Sequence, residues 1–371
     1  MLKVSDEFKK IVGLTEDYKP NFLEWDYRVY IDKNEYNSDI IKSLNISGQL
    51  QNNFTIGSSL SLSLELELLI SEETYFPNSA NITVYATLKN EAKIKGIVRP
   101  LNEDVLLGTF IATDIDRQTI GRIKIQACDI MGHIDYLSSE MTFTDLINPA
   151  TKPARAFQPE DFPIEARDLA IAIANRFNIQ IEENIPEGNK LVTNFIVLYG
   201  LTYRQALEYL AGIYGGYVKV TREGRLSFFR FTNTGIKLTK ENYYNMTKGQ
   251  YEFRAEAIQC TISKVEEHTN NETSEKESFT NTSTLRIGDE KAKLNHTVVF
   301  TNPYISEAKM DDLLIMYRDV SYYPITMNAI GTCILEPGDI VTIFDHYDRE
   351  YKLYIQSYKI TCAAGIKETF E

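Results

Sequence analysis

The stretch LSLSLELELLI, residues 60 to 70, restricts what this chain can fold into more than any other segment. Leu60, Leu62, Leu64, Leu66 and Leu68 fall on alternate positions, with Ser61, Ser63, Glu65 and Glu67 between them. Leucine and glutamate each favour helix, but at 3.6 residues per turn this spacing would scatter the leucines around the whole circumference. As a strand it puts every leucine on one face and every serine and glutamate on the other. The pattern predicts a strand, and at roughly 3.3 Å per residue it spans about 36 Å, long for an ordinary strand and suited to a barrel wall.

The same period recurs in EWDYRVYIDKN (24–34) and NITVYATLKN (81–90), and in GTFIATDID (108–116) and GRIKIQACD (121–129), which form a predicted hairpin. Residues 23–147 therefore read as one mainly antiparallel β domain behind an amino-terminal helix or arm at 1–22. The segment 148–163, with four prolines, reads as a linker.

The period then changes. In EARDLAIAIANRFNI (165–179), Leu169, Ala170, Ile173 and Phe177 recur at helical spacing. A second helix starts at Thr202, where Thr202-Tyr203-Arg204-Gln205 satisfies a capping box, and stops at Gly215-Gly216. YVKVT and RLSFFRF then flank Arg222-Glu223-Gly224, a hairpin whose glycine takes positive φ. Helix, helix and hairpin make a small α/β module over 164–240. Strands return over 241–371, interrupted at 266–283 by a polar stretch expected to be a mobile loop, and ending in a Pro337-Gly338-Asp339 turn and the alternating run YKLYIQSYKIT. The expected fold class is α+β, mainly β, with two antiparallel β-barrel domains flanking the module.

A net charge of −13 argues against a protein that grips nucleic acid through its phosphates. The charged start MLKVSDEFKK and the lack of a long apolar run predict a cytoplasmic product without a membrane span. Cys128, Cys260, Cys333 and Cys362 are widely spaced and read as buried free thiols. N-x-S/T triplets such as those at Asn45, Asn81 and Asn295 follow from the abundance of these residues.

Two constellations resemble chemistry. Cys128, Asp129, His133 and Asp135 crowd together after a strand, but their spacing fits no zinc pattern and a second pair of ligands is missing. Asp345, His346 and Asp348 set an imidazole between carboxylates, on a segment that reads as a solvated hairpin tip. There is no nucleophile elbow, phosphate loop, HExxH or strand-linked GxGxxG, and no catalytic residue, metal or cofactor is expected.

The order of these pieces resembles the tail hub proteins of phages and prophages: the central baseplate hub of contractile-tailed phages and R-type bacteriocins, and the related amino-terminal region of siphophage tail-tip proteins. The likeness lies in an LGTF strand at 107–110, a strand ending in Ala127-Cys128-Asp129, the ARDLAIAIANRFNI helix, the block TYRQALEYLAGIYGGYVKVTREGRLSFFRF, and a closing PGD turn with long strands. It covers nearly the whole chain from about residue 24. The amino-terminal helix departs from the family pattern. The chain ends after the second barrel without the long extension of many tail-tip proteins, which favours the contractile-type hub.

The resemblance implies a structural protein of the virion or tailocin baseplate, made in the bacterial host cytoplasm. A homotrimer with two tube-like barrels per chain would present six similar barrels, adapting a hexameric tail tube to a trimeric spike. Its partners would be the tube protein, the spike or needle protein, the tape-measure protein and other baseplate subunits. On this reading Leu60, Leu62, Leu64, Leu66 and Leu68 pack as barrel core, while Ser61, Ser63, Glu65 and Glu67 face a weakly acidic lumen. Two other readings stay open: a tail-tip host-binding protein, which would adsorb to host cells, and a cell-wall-degrading tail enzyme, which would clear a zymogram.

Overall fold

A computed structural model gives the structure of residues 1–14, 23–50, 54–94, 97–137, 145–182, 191–192, 201–269, 276–363 and 365–371. The first β region comprises β1 (Trp25–Ile31), β2 (Asn34–Asn37), β3 (Ile41–Gln49), β4 (Ser59–Leu68), β5 (Asn81–Ile94), β6 (Ile97–Asp116) and β7 (Ile123–Cys128). They lie in the antiparallel order β3-β4-β7-β6-β5-β1-β2. The alternation in β4 decides its register: Leu64 stands between Ile46 and Ala127, and Leu66 between Leu44 and Ile125. All five leucines are at most 5% exposed, each burial contributing roughly 1.5–3 kcal/mol, so a one-residue slip would move the whole set into water. Gly48 lets Leu62 lie close across the pair, since a Cβ there would lie 2.4 Å from the leucine Cδ2 and the side chain would have to shift.

The strands Tyr243–Lys248, Ile325–Ile330, Gly365–Phe370 and Ser357–Ala363 form a second antiparallel set in that spatial order. The strand Ser357–Ala363 then pairs with β3, from Ser357 opposite Gln49 to Cys362 opposite Leu44. The two β regions, expected as separate barrels, therefore share one sheet. The inner residues Ile360 and Cys362 match Ile46 and Leu44 across the joint, and the pairing covers two edges that would otherwise be open.

This sheet contains a repeat invisible in the sequence. In the unit β3-β4-β7-β6 the strands, taken in spatial order, come first, second, fourth and third along the chain. The second unit, from Tyr243–Lys248 through Ile325–Ile330 and Gly365–Phe370 to Ser357–Ala363, has the same order. Every neighbouring pair is antiparallel, so equivalent strands of the two units point the same way.

The described residues include five α-helices, α1 (Asp6–Ile11), α2 (Ile130–Leu137), α3 (Ala166–Arg176), α4 (Tyr203–Tyr214) and α5 (Glu307–Tyr317), of which α5 packs on a separate sheet that contains Ala257–Thr269 and Lys276–Gly288. The α/β module follows its sequence signals. In α3, Leu169, Ala170 and Ile173 are buried, while Phe177 caps its end. Thr202 and Gln205 complete the capping box of α4, which stops at Gly215 with φ 67°, and the hairpin Tyr217–Val220 with Arg225–Phe229 turns at Gly224 with φ 82°. Val218 and Lys219 pair with Ser59 and Leu60 of β4, so the module extends the shared sheet.

Elsewhere the expected amino-terminal helix is present, and other segments depart from expectation. The arm is docked: Ser5 caps α1, Phe8 is fully buried against Trp25, Leu2 N–H donates to Ile334 O, and Asn242 Nδ2 donates to Gly13 O. Residues 15–22 of that arm lie outside the described residues. The polar stretch 266–283, expected as a loop, is largely strand: Ala257–Thr269 pairs with Lys276–Gly288, and only 270–275 lie outside the described residues. Regular cross-strand hydrogen bonding satisfies this polar backbone. The run YKLYIQSYKIT is two strands. Glu350–Tyr354 pairs with Asp339–Phe344, and after Gln356 the chain crosses to β3. Neither α2 nor α5 was anticipated, because each follows directly on strand or turn residues, and α2 is only eight residues long.

Candidate functional site

The polar face of the shared sheet begins with the residues between the leucines. Ser63 and Glu65 are exposed, whereas Ser61 and Glu67 are half-buried. Ser63 Oγ lies 2.8 Å from Ser47 Oγ on β3. Glu65 stands between Asn45 and Gln126, and Glu67 between Ser43 and Lys124. A shallow depression of about 280 Å³ lies among Ser43, Asn45, Glu65, Glu67, Lys124 and Gln126. Across the joint the face continues through Lys359 opposite Ser47 and Thr361 opposite Asn45, then through Thr369 and Lys367.

The charge on this face is mixed, where a weakly acidic one was expected. Glu67 Oε1 is met by Lys42 Nζ at 3.1 Å and Arg122 Nη1 at 3.5 Å, and Lys124, Lys359 and Lys367 stand exposed on the same surface. Ser61 is drawn away from open solvent, donating to Asp129 Oδ1 at 2.9 Å.

Asp129 itself is structural. Its Oδ1 accepts from Gly132 N at 2.9 Å in the first turn of α2, and its Oδ2 accepts from Leu62 N at 2.8 Å, so one carboxylate caps the helix and ties it to β4. Burial pushes this carboxyl up to about 6 against the pull of those donors. Among the described residues no three His, Cys, Asp or Glu side chains converge as a metal site. The side chain of Asp135 lies outside the described residues. The four cysteines are free, and burial pushes the thiols up, Cys128 to about 11 and Cys260 and Cys362 to about 12, which keeps them protonated.

At the other constellation, Asp345 holds a turn. Its carboxylate accepts from Tyr347 N, Arg349 N and Arg349 Nε at 2.7 to 3.0 Å, so it is not oriented on His346 as a base partner. His346 and Asp348 are exposed at the hairpin tip.

Behind the sheet lies a buried ionic junction that sequence reasoning missed. Arg222, read as part of a hairpin turn, is 2% exposed. Its Nη1 donates to Leu106 O at 3.1 Å and Cys333 O at 2.8 Å, and its Nη2 donates to Leu335 O at 3.2 Å. Its Nε lies 2.8 Å from Glu336 Oε1 in a charge contact, and Lys219 Nζ donates to Glu336 Oε2 at 2.8 Å. Burial alone would raise the Glu336 carboxyl, but Lys219 and Arg222 bring it down to about 2. Nearby, the fully buried Glu368 accepts from Thr332 N, Thr332 Oγ1 and Cys333 N, and burial raises its carboxyl above the ordinary value. The only sequence signal for this cluster was an arginine in a turn position where a small polar residue would serve equally well.

Among the described residues no helix is long and apolar enough to cross a membrane. No protein-family model and no curated protein matches the chain. Solved structures do match. The 43 kDa tail protein of prophage MuSo2 from Shewanella oneidensis aligns with 93% of this chain and 97% of its own, at TM-score 0.54 and 12% identity. A tail protein from Neisseria meningitidis MC58 aligns with 93% and 95%, at TM-score 0.54 and 11% identity. What is shared at such identity is the backbone arrangement, and the fold of this chain is that of phage tail proteins.

Proposed function

We propose that the chain is a structural hub of a phage-type tail, assembling as a homotrimer that adapts a hexameric tube to a trimeric spike and lines the central channel. The observation that carries this reading is the pair of four-strand units with the same strand order and polarity, side by side in one sheet. Three chains then supply six equivalent units related by rotation, which is what a sixfold tube end requires of a threefold adapter.

The two ends of the eight-strand stretch support closure into a ring. Among the described strands, Tyr243–Lys248 pairs only with Ile325–Ile330, and β6 beyond Ala112, whose N–H donates to Ala80 O, pairs only with β7 through Asp116. These edges run antiparallel to one another, so strand Tyr243–Lys248 of one copy fits beside β6 of the next. The polar face carrying Ser63, Glu65, Lys124 and Lys359 becomes the channel wall, with mixed charge that holds neither nucleic acid nor a tape-measure protein tightly. The rim opposite the α/β module exposes Tyr75 and Ile120 at loops joined by a Gly121 N bond to Glu72, and this rim meets the tube.

The chain is read as non-catalytic, because its two most suggestive carboxylates, Asp129 and Asp345, are committed to backbone donors. Light scattering with negative-stain imaging tests the proposal. A species of three times 42.5 kDa forming a pseudo-sixfold ring is the expected result. A monomer that still fails to assemble with its tube and spike partners would sink it, and adsorption of the purified chain to host cells would favour the host-binding alternative, for which the exposed Tyr75, Tyr251 and Tyr347 would serve as contacts.

A further inference from the structure

We infer that Arg222 is the positioning residue that sets the curvature of the shared sheet, by tying the far strand of one four-strand unit to the other unit. β6 is the strand of its unit most distant from the joint, yet Leu106 O on β6 and Cys333 O, just beyond the second unit's strand Ile325–Ile330, accept from the same Nη1. The sheet must curl for one nitrogen to reach both.

A single ladder between two strands leaves twist poorly determined, since neighbouring strands in sheets differ in twist by tens of degrees. The joint between β3 and Ser357–Ala363 is such a ladder. Arg222 spans the gap behind it from a third part of the chain, the tip of the α/β hairpin. Hairpin tips ordinarily sit in water, whereas this one is held by directional bonds to carbonyls of Leu106, Cys333 and Leu335 and by the Glu336 carboxylate. A planar guanidinium fixes those directions in a way an ammonium cannot. Lys219 on the same hairpin holds the far oxygen of Glu336, which keeps the carboxylate in place for the arginine.

The test uses the full chain and hydrogen exchange, and it does not depend on any assembly. Arg222→Lys keeps the charge beside Glu336 and loses the fork. The expected result is exchange on the order of tenfold faster in peptides covering 41–49 and 357–363, as losing one or two charge-assisted bonds would give, with 59–68 and 123–128 little changed. Leu64→Ala, a cavity variant in the same core, should instead speed exchange across the whole unit. A uniform rise in Arg222→Lys, or none at the joint, overturns the inference. If that variant does not fold, the wild-type chain in mild denaturant decides: the hairpin 217–229 and the joint strands should open in one cooperative step, and separate openings overturn it.

Discussion

Ile360 lies directly opposite Ile46 in the ladder that joins the two four-strand units, and both side chains are fully buried. Truncating either to alanine is expected to cost about 2–5 kcal/mol. Because the two share one core, the double variant should lose less than the sum of the singles, by roughly 0.5 kcal/mol or more. Denaturant titration should show one transition shifted as a whole. Two transitions with only one displaced would mean that the β regions fold independently despite their common sheet.

Glu336 makes stability depend on acid. Its carboxyl titrates at about 2 in the folded chain, below its ordinary value near 4.5, so its contribution is full above the ordinary value and is lost as pH falls from there toward 2. The difference in unfolding free energy between the wild type and Glu336→Gln should therefore shrink by roughly 3 kcal/mol between pH 6 and pH 2. Taking the difference removes Glu368, whose raised carboxyl acts in the opposite sense. Urea titrations of both proteins across that range check it, and a difference independent of pH would mean that Glu336 is not held ionised by Lys219 and Arg222.

What could be read in the sequence was whatever a single segment states by itself. Leu60 to Leu68 announce one buried face because period two has no other reading, and Thr202, Gln205 and Gly215 mark helix ends through local backbone chemistry. The joint could not be read, because pairing of Ile360 with Ile46 depends on two distant strands meeting. The repeat of strand order leaves no trace in residue identity. Arg222 was illegible for a related reason: a turn residue's burial is decided by what packs over it, here β6 and the segment Cys333 to Glu336. The break at Gln356 was masked by an alternation that both flanking strands share.

Asp129, which the sequence offers as a possible ligand, is expected to matter through hydrogen bonds alone. Asp129→Ala removes the cap of α2 and leaves the Leu62 N–H buried without its acceptor, at a cost of about 2–3 kcal/mol. Chelator added to the wild type should leave the melting temperature unchanged. A fall on chelation, reversed by a divalent metal and absent in Asp129→Ala, would return the residue to a metal-binding role.

Ser63 gives the most direct probe of the polar face. It is exposed, its side chain contacts Ser47 across the strand pair, and no buried group depends on it. Ser63→Trp should therefore change unfolding free energy by only about 0.5 kcal/mol, as surface substitutions away from buried features do. Its consequence depends on where the face lies in an assembly. If it lines a channel, particles carrying the variant form normally while passage of their contents slows, because each trimer projects three indoles inward, and the smaller substitution Glu65→Ala leaves passage intact. If the face is a contact between subunits, Ser63→Trp instead prevents the ring from forming, and if it lies outside the particle neither property moves. Imaging the particles and measuring delivery in the same preparation separates these outcomes, and only the first agrees with a conduit.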